Sequence, residues 1–175
     1  FKIYPDYDEY LFEILYRLPE VNIVFVDAMD KKYKMYERWD NKMDEKYYGI
    51  LSRVKFIPGI NHEKFVNLIN NSDIMLDPFP FGGCNTSFEG IACGIPIVTQ
   101  RANVINGRFT AGFYEYMGFT ELIAKDKEDY INLTCKLIND TSFYHHCVKQ
   151  IKDKSDKIFM DQQTLDEWKE LMDTY

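Results

Sequence analysis

Between the buried run Asp73-Ile74-Met75-Leu76 and the run Ile95-Pro96-Ile97-Val98-Thr99 lies a segment suited to holding an anion, Asp77-Pro78-Phe79-Pro80-Phe81-Gly82-Gly83-Cys84-Asn85-Thr86-Ser87-Phe88-Glu89. Its two prolines and two glycines rule out a regular helix or strand. Thr86-Ser87-Phe88-Glu89 reads as a helix start and Cys93-Gly94 as its end. The first turn of a helix leaves backbone N–H groups without partners, and small residues before it let a phosphate approach them. Gly82, Gly83, Cys84, Asn85 and Thr86 are therefore the candidate binding residues. Thr86 and Glu89 also fit a capping box, in which the carboxylate turns back to the helix's own backbone and needs no ligand. A cysteine at a helix N-terminus can act as a nucleophile, but no histidine is near Cys84 in sequence, and packing or loop contact is the expected role.

Other chemically able residues have plainer readings. Asp6-Tyr7-Asp8 has the D-x-D spacing of a metal motif, yet it falls in the first turn of a helix, where acids complement the dipole. His145 and His146 are adjacent on a helix and point about 100° apart, too far for easy chelation of one ion. Cys84, Cys93, Cys135 and Cys147 show neither C-x-x-C nor zinc spacing, which predicts reduced thiols and a cytoplasmic protein. Asn85-Thr86-Ser87 and Asn132-Leu133-Thr134 match the glycosylation acceptor pattern, and a glycan on the first would obstruct the candidate loop.

The elements that must position these residues alternate. Helices are predicted over 5–18, 31–39, 42–51, 61–71, 86–93, 106–117, 126–138, 141–156 and 162–174, and strands over 21–27, 54–56, 73–76, 95–99 and 122–124. Alternation from residue 21 to 124 predicts an α/β fold, a parallel sheet with helices on both faces, which binds ligands at the carboxyl ends of its strands. Ile57 to Asn61 and Asp77 to Thr86 lie at such ends. The 175 residues are expected to form a single domain, with a Rossmann-like unit over 1–125 and a helical C-terminal extension over 126–175 packed on it. A formal charge of −7 argues against a nucleic-acid partner, and no apolar run is long enough for a membrane helix. No signal peptide is expected before the first strand, and the opening Phe1 suggests a fragment.

These residues resemble the C-terminal, nucleotide-sugar-binding half of a GT-B glycosyltransferase. The likeness is to the O-linked N-acetylglucosamine transferase family and its bacterial relatives that glucosylate asparagine. Leu76 to Gly82 is similar to the bacterial L-D-P-F-P-F-G, and Ala92 to Thr99 resembles the animal W-A-G-T-P-M-V-T. Glu121-Leu122-Ile123-Ala124-Lys125 with Tyr130, and the opening Phe1 to Pro5, resemble the animal branch. The resemblance implies that Lys2 contacts the diphosphate and stabilises the leaving group, which makes it the candidate catalytic residue. It implies that Cys84, Asn85 and Thr86 surround the diphosphate, that Glu89 accepts the two ribose hydroxyls, and that Ile60 and His62 lie on the loop that contacts the uracil. Arg108 falls on a family arginine to which no role is assigned.

Cys84, Phe65 and Glu89 depart from the family histidines and aspartate at those positions. Retaining GT-B enzymes commonly carry E-x7-E, and Phe81 stands eight residues before Glu89, which favours inversion. The expected activity is transfer of GlcNAc or a hexose from a UDP-sugar to a protein side chain, without a metal or other cofactor and with an N-terminal GT-B domain absent from this chain. The family's leading strand, which should be central in the sheet, also lies outside it. A GT-B nucleotide-sugar epimerase and a non-catalytic nucleotide-binding scaffold are the alternatives.

Overall fold

The computed structural model describes residues 3–27, 32–41, 45–159 and 161–174. A 3-10 turn at Pro5–Tyr7 leads into α1 (Asp8–Arg17) and β1 (Ile23–Asp27), followed by α2 (Lys32–Asp40) and β2 (Val54–Pro58). Next come α3 (His62–Asn70), β3 (Met75–Leu76), α4 (Asn85–Ala92), β4 (Ile97–Gln100), α5 (Phe109–Met117) and β5 (Ile123–Ala124). Four helices close the chain: α6 (Lys127–Asn139), α7 (Thr141–Lys154), α8 (Asp156–Phe159) and α9 (Gln162–Thr174).

All strand pairs among the described residues are parallel, as the alternation requires. They form two sheets: β1 with β2, in register from Ile23 opposite Val54 to Asp27 opposite Pro58, and the three strands in order β3-β4-β5. The expected parallel α/β architecture is present, but the sheet is interrupted between β1 and β3.

Helix α1 buries Tyr10, Leu11, Ile14 and Leu15 on one face, the spacing that makes it amphipathic. Its C-terminal carbonyls are met by Arg53, which donates to Leu15 (2.5 Å), Leu18 (2.8 Å) and Val21 (3.0 Å), a cation placed at the negative end of the dipole. Asp8 is fully buried and accepts from Arg38 (2.6 Å) and from the Trp39 indole (2.8 Å). Its carboxylate thus joins α1 to α2.

Three boundaries differ from expectation. No α-helix covers the described part of 42–51; residues 45–47 and 50–53 are 3-10 turns. Gly49 between them has φ +82°, a conformation that interrupts a helix and that glycine adopts without steric cost. The helix after residue 106 starts at Phe109, behind a 3-10 turn at Ile105–Gly107. The helix expected over 141–156 divides at Ser155 into α7 and α8. Helix α9 buries none of its residues, and Leu165, Trp168, Leu171 and Met172 stand exposed along it. Among the described residues, no helix is long and apolar enough to cross a membrane.

Candidate functional site

The site is built outward from Asp77, which follows β3 and is 5% exposed. Its N–H donates to the Val98 carbonyl (2.9 Å), continuing the β3–β4 ladder by one residue. Its carboxylate accepts the Gly83 N–H (2.5 Å) and the Thr99 hydroxyl (2.7 Å). Its carbonyl accepts from the Tyr130 hydroxyl (3.1 Å), which also bonds the Tyr7 hydroxyl (2.8 Å). Burial pushes both phenol pKa values up, so these hydroxyls stay protonated at any ordinary pH. The end of one strand thereby sets the glycine loop that follows it.

Both glycines are needed for this closure. A Cβ on Gly83 would lie 2.4 Å from Ser87 Oγ and 2.7 Å from Thr86 Oγ1, and one on Gly82 would lie 2.9 Å from Asp77 Oδ2. The Gly82 N–H donates to the Asn106 carbonyl (3.0 Å), tying the loop to the segment before α5. The Ser87 hydroxyl bonds that of Thr110 (2.8 Å), fixing the first turn of α4 against α5.

Helix α4 begins at Asn85, one residue earlier than expected, with Cys84 as its N-cap and no side-chain cap bond. The Cys84 carbonyl accepts from Ser87 and Phe88 (both 3.0 Å). The amides of Asn85 and Thr86 have no acceptor among the described residues, as the first turn of a helix leaves them. Thr86 lies inside the first turn, so it is not a cap, and the capping box with Glu89 does not form. Glu89 instead turns sideways: its Oε1 is 2.7 Å from His62 Nε2. His62 opens α3, whose N-cap Asn61 accepts from the Lys64 N–H (3.0 Å).

The structure therefore gathers Gly82, Gly83, Cys84, Asn85, Thr86 and Glu89 with His62, and places Ile60 on the loop just before α3. Lys2 lies outside the described residues. Ile3 forms an antiparallel bridge with Pro80, so the start of the described chain runs beside the segment that leads into the glycine loop. Arg108 is exposed at the N-cap of α5. His146 bonds Glu121 (2.8 Å) on the far side of the fold. Asp77, Thr99 and Tyr130 organise the site, yet sequence reading gave them no role. The available signal was an acid at the carboxyl end of a buried strand, where a charge persists only if it is bonded.

Parallel strands with a glycine loop and a helix N-terminus at their carboxyl ends make a Rossmann-like α/β fold. A mutant O-GlcNAc transferase from Thermobaculum terrenum has this fold: the two superpose with a TM-score of 0.78 over 93% of this chain and 31% of the other, at 20% identity. The glycosyl transferase family 41 model matches residues 1–167, and the chain belongs to that family. Curated relatives include a probable UDP-N-acetylglucosamine–peptide N-acetylglucosaminyltransferase SPINDLY from Eustoma exaltatum subsp. russellianum, 31% identical over 93 residues, 52% of this chain and 10% of the relative. A UDP-glucose:protein N-beta-glucosyltransferase from Actinobacillus pleuropneumoniae is 25% identical over 81 residues, 46% of this chain and 13% of the relative. The matched part of the chain thus spans only about a tenth of the length of these relatives.

Proposed function

We propose that this chain is the donor-binding part of an inverting, metal-independent glycosyltransferase that moves a sugar from a UDP-sugar to a protein side chain. The observation that carries this reading is the glycine loop fastened by Asp77 against the start of α4, with the Asn85 and Thr86 amides left for an anion. In the reading, those amides and Lys2 hold the diphosphate, where charge grows as the sugar–phosphate bond breaks. Donors fixed before the reaction neutralise that charge without a metal. Glu89 exchanges its His62 bond for the two ribose hydroxyls, and the Ile60–His62 loop takes the base.

Phe81, which stands where retaining GT-B enzymes commonly carry glutamate, supports inversion. The acceptor and the general base belong to an N-terminal GT-B domain, against which the apolar stripe of α9 packs. Four unpaired cysteines suit a cytoplasmic setting.

Calorimetric titration of UDP into the intact protein tests the donor site. Binding is expected, and Lys2→Ala or Glu89→Ala should weaken it about tenfold or more, the loss of a bond to a charged group. An absence of binding at millimolar UDP would leave a scaffold. A UDP-sugar converted to another UDP-sugar without acceptor would mark an epimerase. Either result rejects the transferase reading.

A further inference from the structure

The D-x-D spacing of Asp6-Tyr7-Asp8 has no part in the glycine-loop site, and the fold separates its two acids. Asp6 is exposed, whereas Asp8 at the start of α1 is fully buried. A buried carboxylate persists only where donors meet it, and two side chains of α2 do so. The Trp39 indole, itself fully buried, donates to Asp8 Oδ1 (2.8 Å), and Arg38 Nη2 donates to the same oxygen (2.6 Å). The indole alone would join the two helices. What the arginine adds is its other arm: Nη1 donates to the Ile3 carbonyl (3.2 Å).

Ile3 follows Lys2 in the chain, and it is held from two sides. Arg38 takes its carbonyl, and an antiparallel bridge joins it to Pro80, two residues before Gly82. Pro80 is itself fixed, since its carbonyl lies so close to Gly107 that a Cβ there would collide with it. Beyond Ile3, the Tyr4 carbonyl accepts the Tyr7 N–H (3.0 Å), and Pro5 restricts φ at the head of that turn. A buried ion pair returns little net stability, because desolvation of the two charges offsets their attraction. Its use here is geometric: the planar fork of the guanidinium keeps two acceptors, Asp8 and Ile3, at one spacing. Consecutive Cα atoms are about 3.8 Å apart, so fixing Ile3 limits where the Lys2 ammonium can reach.

We infer that Arg38, oriented by Asp8, is a positioning residue for Lys2, holding the backbone from which the ammonium reaches the diphosphate. The inference rests on the donor-site reading of Lys2 and gives Arg38 no contact with the ligand. A cation set in place beforehand meets the charge that grows on the leaving group without first having to be ordered.

A double-mutant cycle on the intact protein tests it, with UDP and with uridine, which lacks the diphosphate. Asp8→Asn/Arg38→Met removes both charges together, so no unpaired charge stays buried, and Asn can still accept from the Trp39 indole. UDP affinity should fall about threefold to tenfold, within the range of coupling between neighbouring groups, while uridine affinity stays within about twofold of wild type. In a Lys2→Ala background the same two changes should lower UDP affinity less than about twofold, because the lysine they position is gone. Arg38→Lys keeps a cation on Asp8 without the fork, and should repeat the pattern in a protein that retains the buried pair. An equal loss for uridine, or an undiminished loss for UDP in the Lys2→Ala background, would make the pair merely structural and overturn the inference. So would an unchanged UDP affinity in Asp8→Asn/Arg38→Met while Lys2→Ala weakens it. If Lys2→Ala itself changes nothing, the donor reading of Lys2 has failed and the positioning role falls with it.

Discussion

Replacing Asp77 should loosen the glycine loop by an amount the structure lets one work out. The carboxylate accepts from Gly83 N–H (2.5 Å) and Thr99 hydroxyl (2.7 Å) in a site almost closed to water. Hydrogen bonds to a charged group contribute about 1.5–3 kcal/mol each, and Asp77→Ala leaves both donors buried without an acceptor. Removing the carboxylate also removes its own desolvation cost, so the net loss is about 2–4 kcal/mol. Asp77→Asn keeps the shape. Its carbonyl can serve Gly83, while its NH₂ group turns to Thr99, whose hydroxyl rotates to accept, for a loss of about 1–2 kcal/mol. Hydrogen exchange of the Gly83 amide reads the change locally. Asp77→Ala should speed it about 30- to 1,000-fold and Asp77→Asn about 5- to 30-fold, since 1.4 kcal/mol is about a factor of ten. UDP affinity should fall in the same order, because the loop donors are no longer fixed in advance. A Gly83 amide in Asp77→Ala that exchanges within threefold of wild type would refute this account.

The cysteines and the acid side of the fold give two more tests. Burial pushes the Cys147 thiol up to about 12, so iodoacetamide at pH 8 should leave it unlabelled in the folded protein while alkylating the half-buried Cys84. UDP should slow the Cys84 reaction, and peptide mass spectrometry showing no such slowing would count against the diphosphate lying at that loop. Glu13 is held down at about 2, chiefly by the Lys46 ammonium (2.7 Å), with Arg17 (2.9 Å) and the Tyr47 hydroxyl (3.0 Å) adding and desolvation opposing. A lowered folded pKa stabilises above the ordinary carboxylate value and is lost as pH falls through the folded one. The difference in denaturation midpoint between wild type and Glu13→Gln should therefore be full above pH 4.5 and close toward pH 2. A pH-independent difference would dismiss the pairing as its cause.

Several features of this fold are written locally in the chain. Apolar spacing fixes α1, α3 and α6, Gly94 and the prolines punctuate α4 and its loop, and the alternation of elements requires parallel strands. The candidate loop was legible for the same reason: glycine, glycine and a helix start adjoin one another in sequence, and unpaired first-turn amides are a property of any helix.

Long-range partners were not legible. Nothing near Glu89 announced that it would turn to His62, 27 residues earlier, rather than to its own helix. Nothing near Asp77 named Gly83, Thr99 and Tyr130 together as its partners, because a buried carboxylate declares only that it needs donors. The interruption between β1 and β3 belongs to the same class. Each strand is apolar enough to be central in a sheet, and only the tertiary arrangement decides which edge is paired and which faces an open slot. Sequence determined which segments could become strands, helices and a glycine loop through local sterics and periodicity. Tertiary structure alone decided which buried polar groups found each other, since hydrogen-bond satisfaction is settled by whatever the packed chain brings within about 3 Å.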